Sequence, residues 1–302
     1  MPIKIQSDLP ACSILEHENV FVMTDKRAST QDIRPLKIAI VNLMPTKETT
    51  ETQMLRLLAN TPIQVEISLI RMENHVYKHT GQEYLEKFYI SSNELFRQKF
   101  DGMIVTGAPV EQLPFEQVDY WNELCGIMDY AKNNVFSTLY VCWGSFAGLY
   151  HLYGIPKYPT EKKLFGIFMN RRLTNAEPLL RGFDDEFPIP QSRHTTIRFD
   201  DVMKHPELTV LAASEEAGAT LIKSKDNREI FMTGHLEYDT DTLSDEYWRD
   251  KKKNLPIEIP QHYYPGDDAT KPPLSTWRST AHLFYSNWLN YYVYQETPFN
   301  FI

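Results

Sequence analysis

Cysteine is scarce: the 302-residue chain holds three, Cys12, Cys125 and Cys142. A small odd number excludes a disulfide framework and fits a reducing compartment. None of the three has a partner at C-x₂-C spacing, so no metal site is expected. Long apolar runs are missing too. No segment approaches the ~20 consecutive apolar residues that span a bilayer, so no membrane partner is expected. The start, "MPIKIQSDLPACSILEHENV", lacks the basic stretch and apolar block of a signal peptide, and the expected location is cytoplasmic. Positive charge is in deficit. A net charge of −9 at pH 7 argues against the basic stripe that a general nucleic-acid binder needs. Repeats and low-complexity tracts are absent as well. What remains is an ordinary globular composition, 42% hydrophobic and 24% charged, long enough to bury a large core.

Along the chain, buried strands alternate with helices. "LKIAIVNLMP" (Leu36–Pro45) is a continuous apolar run, the mark of a strand covered on both faces. "TKETTETQMLRLLANTP" reads as a helix with acidic Glu48 and Glu51 in its first turn. Strands are expected at Ile63–Met72 and Phe100–Thr106, with a mixed helical stretch around Tyr84–Lys99 between them. A long helix in "EQVDYWNELCGIMDYAKNN" carries Val118, Trp121, Leu124, Cys125, Met128 and Ala131 on one face. "STLYVCWGSFAGLYHLYG" then climbs as a strand to Cys142 and turns into a helix. Further strands are expected at Leu208–Ser214, Ala219–Ser224 and Arg228–His235. The last element places Trp277, Ala281, Phe284, Trp288, Leu289 and Tyr292 at helical spacing, a stripe that docks on the sheet. The alternation implies an α/β layered fold with parallel pairing and right-handed crossovers. Residues 1–34 read as an N-terminal extension and 35–302 as one catalytic domain, with a Pro-rich excursion near 254–273.

In open α/β sheets the functional crevice lies at the carboxyl ends of the strands. Cys142, Gly107 and "TGHLE" (Thr233–Glu237) all fall at such ends. Cys142 has the position of a nucleophile on a strand–turn–helix elbow, with Gly144 allowing a tight bend and the next helix aiming its positive end at the sulfur. The Trp143 amide would form half of an oxyanion hole, and Gly107 or Ala108 the other half. Tyr140 is a departure, since an elbow ordinarily has a small residue two positions before the nucleophile. Taken locally, a buried inert thiol explains Cys142 equally well. His235 and Glu237 tip the balance, because a base and a carboxylate that orients it complete a triad by role. His151 and His194 have no ligand partners at metal spacing. Lys47 lies near the crevice, and Arg171 with Arg172 form a basic pair that reads as solvated. A nucleophilic cysteine with an oxyanion hole makes acyl-enzymes, which leaves amide hydrolysis or acyl transfer open.

Four motifs together, "IVNLMPTKETTETQMLRLL", "FDGMIVTGAPVE", "YVCWGSFAGLYHLYGIPK" and "GHLEY", resemble the homoserine O-acyltransferases of methionine biosynthesis. The resemblance implies a three-layer, flavodoxin-like or class I glutamine amidotransferase-like fold, with a mostly parallel sheet and flanking helices. It also implies a ping-pong transfer through an acyl-Cys142 intermediate, with His235 as base and Glu237 holding it. No cofactor is implied; acyl-CoA is the co-substrate and L-homoserine the acceptor. Lys163, Ser192 and Arg249 match positions that bind substrate, and a homodimer is implied. Glu111 matches the position associated with acyl choice. A carboxylate there repels the terminal carboxylate of succinyl-CoA, so acetyl-CoA is the expected donor. Succinyl-CoA as donor and a glutaminase of the amidotransferase type are the alternatives.

Overall fold

The computed structural model describes residues 3–6, 8–18, 20, 22–23 and 34–298. Its strands are β1 (Ile3–Lys4), β2 (Val22–Met23), β3 (Leu36–Val41), β4 (Val65–Arg71), β5 (Tyr89–Ser91) and β6 (Phe100–Val105). They continue with β7 (Val135–Val141), β8 (Tyr158–Arg172), β9 (Glu186–Thr196), β10 (Leu208–Ser214), β11 (Gly218–Ser224) and β12 (Glu229–Met232). All twelve belong to one sheet in the order β2-β1-β4-β3-β6-β7-β12-β11-β10-β8-β9, with β5 pairing to β4 off that path.

The half from β2 to β12 is parallel, and the half from β12 to β9 is antiparallel. Alternation of strand and helix therefore predicts the first half well. The second half is a meander, β10-β11-β12, joined to a long β8–β9 hairpin that the strand pattern did not signal.

Side chains of β3 alternate between two cores. Ile38 and Ile40 pack with Met54, Leu55, Trp277 and Phe284 on one side. Ala39 and Val41 pack with Leu124, Met128, Phe146 and Leu149 on the other. Helices Lys47–Leu58 and Arg278–Asn287 cover the first face, and helices Trp121–Asn134 and Trp143–Tyr153 cover the second. Three layers result, as expected for a mostly parallel sheet. The aromatic stripe from Trp277 to Tyr292 is buried throughout, with a normal helix to Asn287 and a wider-wound turn over Trp288–Tyr294. The stretch around Tyr84–Lys99 divides into helix Gln82–Phe88, strand β5 and a short helix Ser92–Leu95.

The expected extension, 1–34, falls partly outside the described residues. Within them, β1 adds to the edge of β4, and helix Pro10–His17 buries Ala11, Cys12 and Leu15. The Pro-rich stretch is irregular but pinned: Gln261 bridges to Gly166 of β8, and Tyr263 and Tyr264 are buried. No helix among the described residues is long and apolar enough to cross a membrane.

Candidate active site

Three neighbouring parallel strands end side by side. Val105 of β6 is in register with Tyr140 of β7, and Met232 of β12 with Val141 of β7. Gly107, Cys142 and the Thr233–Glu237 turn therefore emerge together at one sheet edge. A Cβ placed on Gly107 would lie 3.3 Å from Cys142 Cβ, 3.8 Å from its Sγ and 3.5 Å from His235 Cε1. Gly107 is packed directly against the sulfur and the imidazole.

Cys142 has φ 50° and ψ −116°, left-handed backbone for a residue that carries a side chain. Such a conformation costs on the order of 1–3 kcal/mol and persists where the surroundings over-determine it. Here the Cys142 N–H donates to Met232 O at 2.7 Å, and Ser145 Oγ donates to Tyr140 O and Met232 O at 2.7 and 2.6 Å. The helix Trp143–Tyr153 starts immediately after the sulfur, its first amide being that of Trp143.

The two glycines of this helix explain how the bend is tolerated. A Cβ at Gly144 would meet the carbonyl oxygens of Val105 and Thr106 at 2.7 Å. A Cβ at Gly148 would meet Phe231 at 2.9 Å and Tyr140 at 3.0 Å. Tyr140 stacks on Phe231 at 5.0 Å between centroids and is fully buried. The large residue before the nucleophile is thus accommodated by a missing side chain on the helix above it.

His235 and Glu237 meet, but not on a strand. β12 stops at Met232, short of the expected His235, and both residues lie on a turn. The His235 N–H donates to Pro190 O of β9 at 2.9 Å, which ties the turn to that strand. His235 Nδ1 is 2.6 Å from Glu237 Oε1, with both side chains buried. Burial alone would push the imidazole down. The charges of Cys142 and Glu237, and hydrogen bonds to both, outweigh it and hold His235 well above the ordinary histidine value. Tyr238, the last residue of "GHLEY", stacks on His235 at 4.0 Å and 11°; the motif held it without marking a role.

Burial pushes Cys125 up to about 11 and raises Cys12, so both are poor nucleophiles at neutral pH.

Lys163, Ser192 and Arg249 come together on a residue that sequence reasoning missed. Lys163 Nζ and Ser192 Oγ each lie 2.7 Å from the Glu246 carboxylate, and an Arg249 nitrogen lies 3.6 Å from it. Arg249 also pairs with Asp250 at 2.7 Å. Glu246 sits on helix Thr242–Lys252, where it reads as one more surface acid.

Glu111 takes a hydrogen bond from Thr195 Oγ1 at 3.4 Å, and its backbone carbonyl accepts from Lys157 Nζ. Lys157 also donates to Leu113 O at 2.6 Å, bracing the loop. Lys47 is buried under Tyr77 and Tyr89, donates to Asn42 O and is pushed down to about 7 by burial. Arg171 and Arg172 pair with Glu186 and Asp185 across the β8–β9 hairpin.

Residues 2–299 match the family described as homoserine O-succinyltransferase. The chain is 58% identical over 299 residues to a homoserine O-acetyltransferase of Geobacillus sp. (strain WCH70), covering 99% of each. It is 54% identical over 300 residues to a homoserine O-acetyltransferase of Methanomethylophilus alvi, covering 99% of this chain and 97% of the relative. The chain belongs to the homoserine O-acyltransferase family. Among solved structures, a glutamine amidotransferase of Thermotoga maritima superposes with a TM-score of 0.55 at 12% identity, over 85% of this chain and 98% of the other. One from Methylobacillus flagellatus gives 0.50 at 11% identity, over 86% and 95%. These two share the fold, a mostly parallel sheet flanked by helices, which agrees with the architecture expected of the family.

Proposed function

We propose that this homoserine O-acyltransferase moves acetyl from acetyl-CoA to the hydroxyl of L-homoserine through an acetyl-Cys142 intermediate. The observation that carries the reading is the Cys142–His235–Glu237 constellation, a sulfur on a strained elbow beside an imidazole held 2.6 Å from a buried carboxylate.

In the first half, the Cys142 sulfur attacks the acetyl carbonyl of acetyl-CoA. The bond to the CoA sulfur breaks, and the leaving thiolate takes the proton from His235. Backbone amides of Trp143 and Gly107 are the proposed donors to the oxyanion. In the second half, neutral His235 accepts the homoserine hydroxyl proton as that oxygen attacks the acetyl-Cys142 carbonyl. Cys142 leaves as thiolate and O-acetylhomoserine forms. Glu237 stabilises the imidazolium present at either end of the cycle.

Homoserine carries one positive and one negative group. Lys163 and Arg249 suit its carboxylate, Arg249 through its planar fork. Ser192 adds a hydroxyl, and Glu246 suits the ammonium. The acetyl preference rests on Glu111, whose carboxylate would repel that of a succinyl group. A desolvated like-charge contact costs several kcal/mol, about a hundredfold or more in rate.

Mass spectrometry of the enzyme mixed with acetyl-CoA, without homoserine, tests the mechanism. An acetyl adduct on Cys142, absent in Cys142→Ser and discharged by homoserine, is the expected result. An enzyme that turns over with no adduct at any time point would sink the covalent intermediate. Glutamine hydrolysis independent of CoA would favour the glutaminase instead.

A further inference from the structure

Arg193 lies on β9 between Ser192 and His194 and is 1% exposed. A buried guanidinium is costly unless a negative group faces it. Its three hydrogen bonds go to neutral oxygens: Gln191 Oε1 at 2.8 Å, Thr195 O at 2.5 Å and Ala217 O at 2.6 Å. Among the described residues no carboxylate lies within ion-pair distance of it. Its guanidinium also lies 5.6 Å from the ring of Phe146, one turn into the helix that begins behind the Cys142 sulfur.

The groups around it explain why the charge is kept. Thr195, whose carbonyl Arg193 holds, touches the Glu111 carboxylate through its hydroxyl. Burial lowers the guanidinium to about 10, and the two groups that oppose this are Cys142 and Glu111. On the other side, Arg193 fixes Gln191, whose Nε2 has no partner among the described residues. That amide lies beside Gly234, where an added Cβ would be 2.6 Å from it, one residue before His235. A cation is therefore locked by backbone between the nucleophile, the proposed acyl gate and the histidine turn.

We propose that Arg193 is the buried counter-charge of the acyl pocket and a specificity determinant for the donor. This rests on the reading of Glu111 as the acyl gate. With Glu111 present, the carboxylate balances the guanidinium and the pocket suits a short neutral acyl group. Without Glu111, the pocket gains room and an uncompensated cation at once. That combination attracts a donor ending in a carboxylate, beyond what extra space alone would admit.

The test compares three donors, acetyl-CoA, succinyl-CoA and the neutral four-carbon butyryl-CoA, in wild type, Glu111→Gly, and Glu111→Gly combined with Arg193→Gln or Arg193→Lys. In Glu111→Gly, kcat/KM for succinyl-CoA should rise at least tenfold above that for butyryl-CoA. Arg193→Gln in that background should erase the gap while Arg193→Lys retains it. Equal gains for succinyl and butyryl donors would mean that space alone decides, and would overturn the role of Arg193. A succinyl preference that survives Arg193→Gln would overturn it as well. If Glu111→Gly changes no donor ratio, the gate itself is wrong and the proposal falls with it. If Arg193→Gln does not fold, equal kcat/KM for succinyl-CoA and butyryl-CoA in Glu111→Gly still overturns the role of Arg193.

Discussion

A histidine whose proton is held by two neighbours should betray itself in its pH dependence. His235 is raised above its ordinary 6.5 despite burial, because Cys142 and Glu237 favour the charged form. The folded chain therefore binds this proton more tightly than the unfolded one. Its contribution to stability is complete below about pH 6.5 and is lost as pH rises through the folded value. The same proton is needed when CoA leaves. In Glu237→Gln one of the two supporting charges is gone, so the burst of CoA release should lose its alkaline limb earlier. The expected displacement is toward lower pH by about 1–3 units, read by single-turnover thiol detection across a pH series. A limb that stays in place would mean that Glu237 orients the ring without setting its charge. Gly144 gives a second prediction at this scale. A methyl there meets two backbone carbonyls at 2.7 Å, contacts that cannot swing away. Gly144→Ala should cost about 1–3 kcal/mol, seen as a lower midpoint in urea, and should slow acylation of Cys142 because the elbow is displaced.

Among elements, the parallel half and strands β10 and β11 were legible, and the β8–β9 hairpin was not, for physical reasons. Gly107 and Cys142 follow β6 and β7, whose closing stretches Met103–Val105 and Leu139–Val141 are apolar and announce buried strands. Once those strands are parallel neighbours, their ends must coincide. The β8–β9 hairpin has no such signal. β9 contains Pro188 and Pro190, which only an edge strand tolerates, and it is indeed the last strand of the sheet. β8 opens on the charged stretch Glu161–Lys163 and loses register with β9 between Pro159 and Leu164. Lys163, Ser192 and Arg193 thus looked like surface residues. Only their resemblance to family positions marked the first two, and nothing marked Arg193 or Glu246. Glu246 now links this hairpin to helix Thr242–Lys252 through Lys163 and Ser192. Glu246→Gln keeps the shape and removes the charge proposed to meet the homoserine ammonium. The KM for homoserine should rise about tenfold or more, in line with the roughly 1.5–3 kcal/mol of a charged hydrogen bond. The rate of acetyl-Cys142 formation should not change, since homoserine is absent from that step. A loss in the first half-reaction would instead assign Glu246 to the donor side.

Across the whole molecule, the chemistry sits at one end of a sheet whose other supports are remote, and Trp288 separates the two. Its indole is fully buried, donates to Ser137 Oγ of β7 at 3.0 Å and lies 3.3 Å from where a Cβ on Gly102 of β6 would stand. The C-terminal element therefore braces the two strands that end at Cys142 and Gly107, but near their starts. Trp288→Ala should leave a cavity costing about 3–5 kcal/mol, a large part of the roughly 5–15 kcal/mol that keeps a domain folded. At about 2–4 °C per kcal/mol, the thermal midpoint should fall by about 6–20 °C. Trp288→Phe fills most of the space and loses the hydrogen bond, so about 1 kcal/mol is expected. Well below the midpoint, kcat and both KM values should stay within twofold of wild type in either variant. A variant that melts normally yet turns over slowly would show that the aromatic stripe takes part in the site, against its reading as the floor of the core.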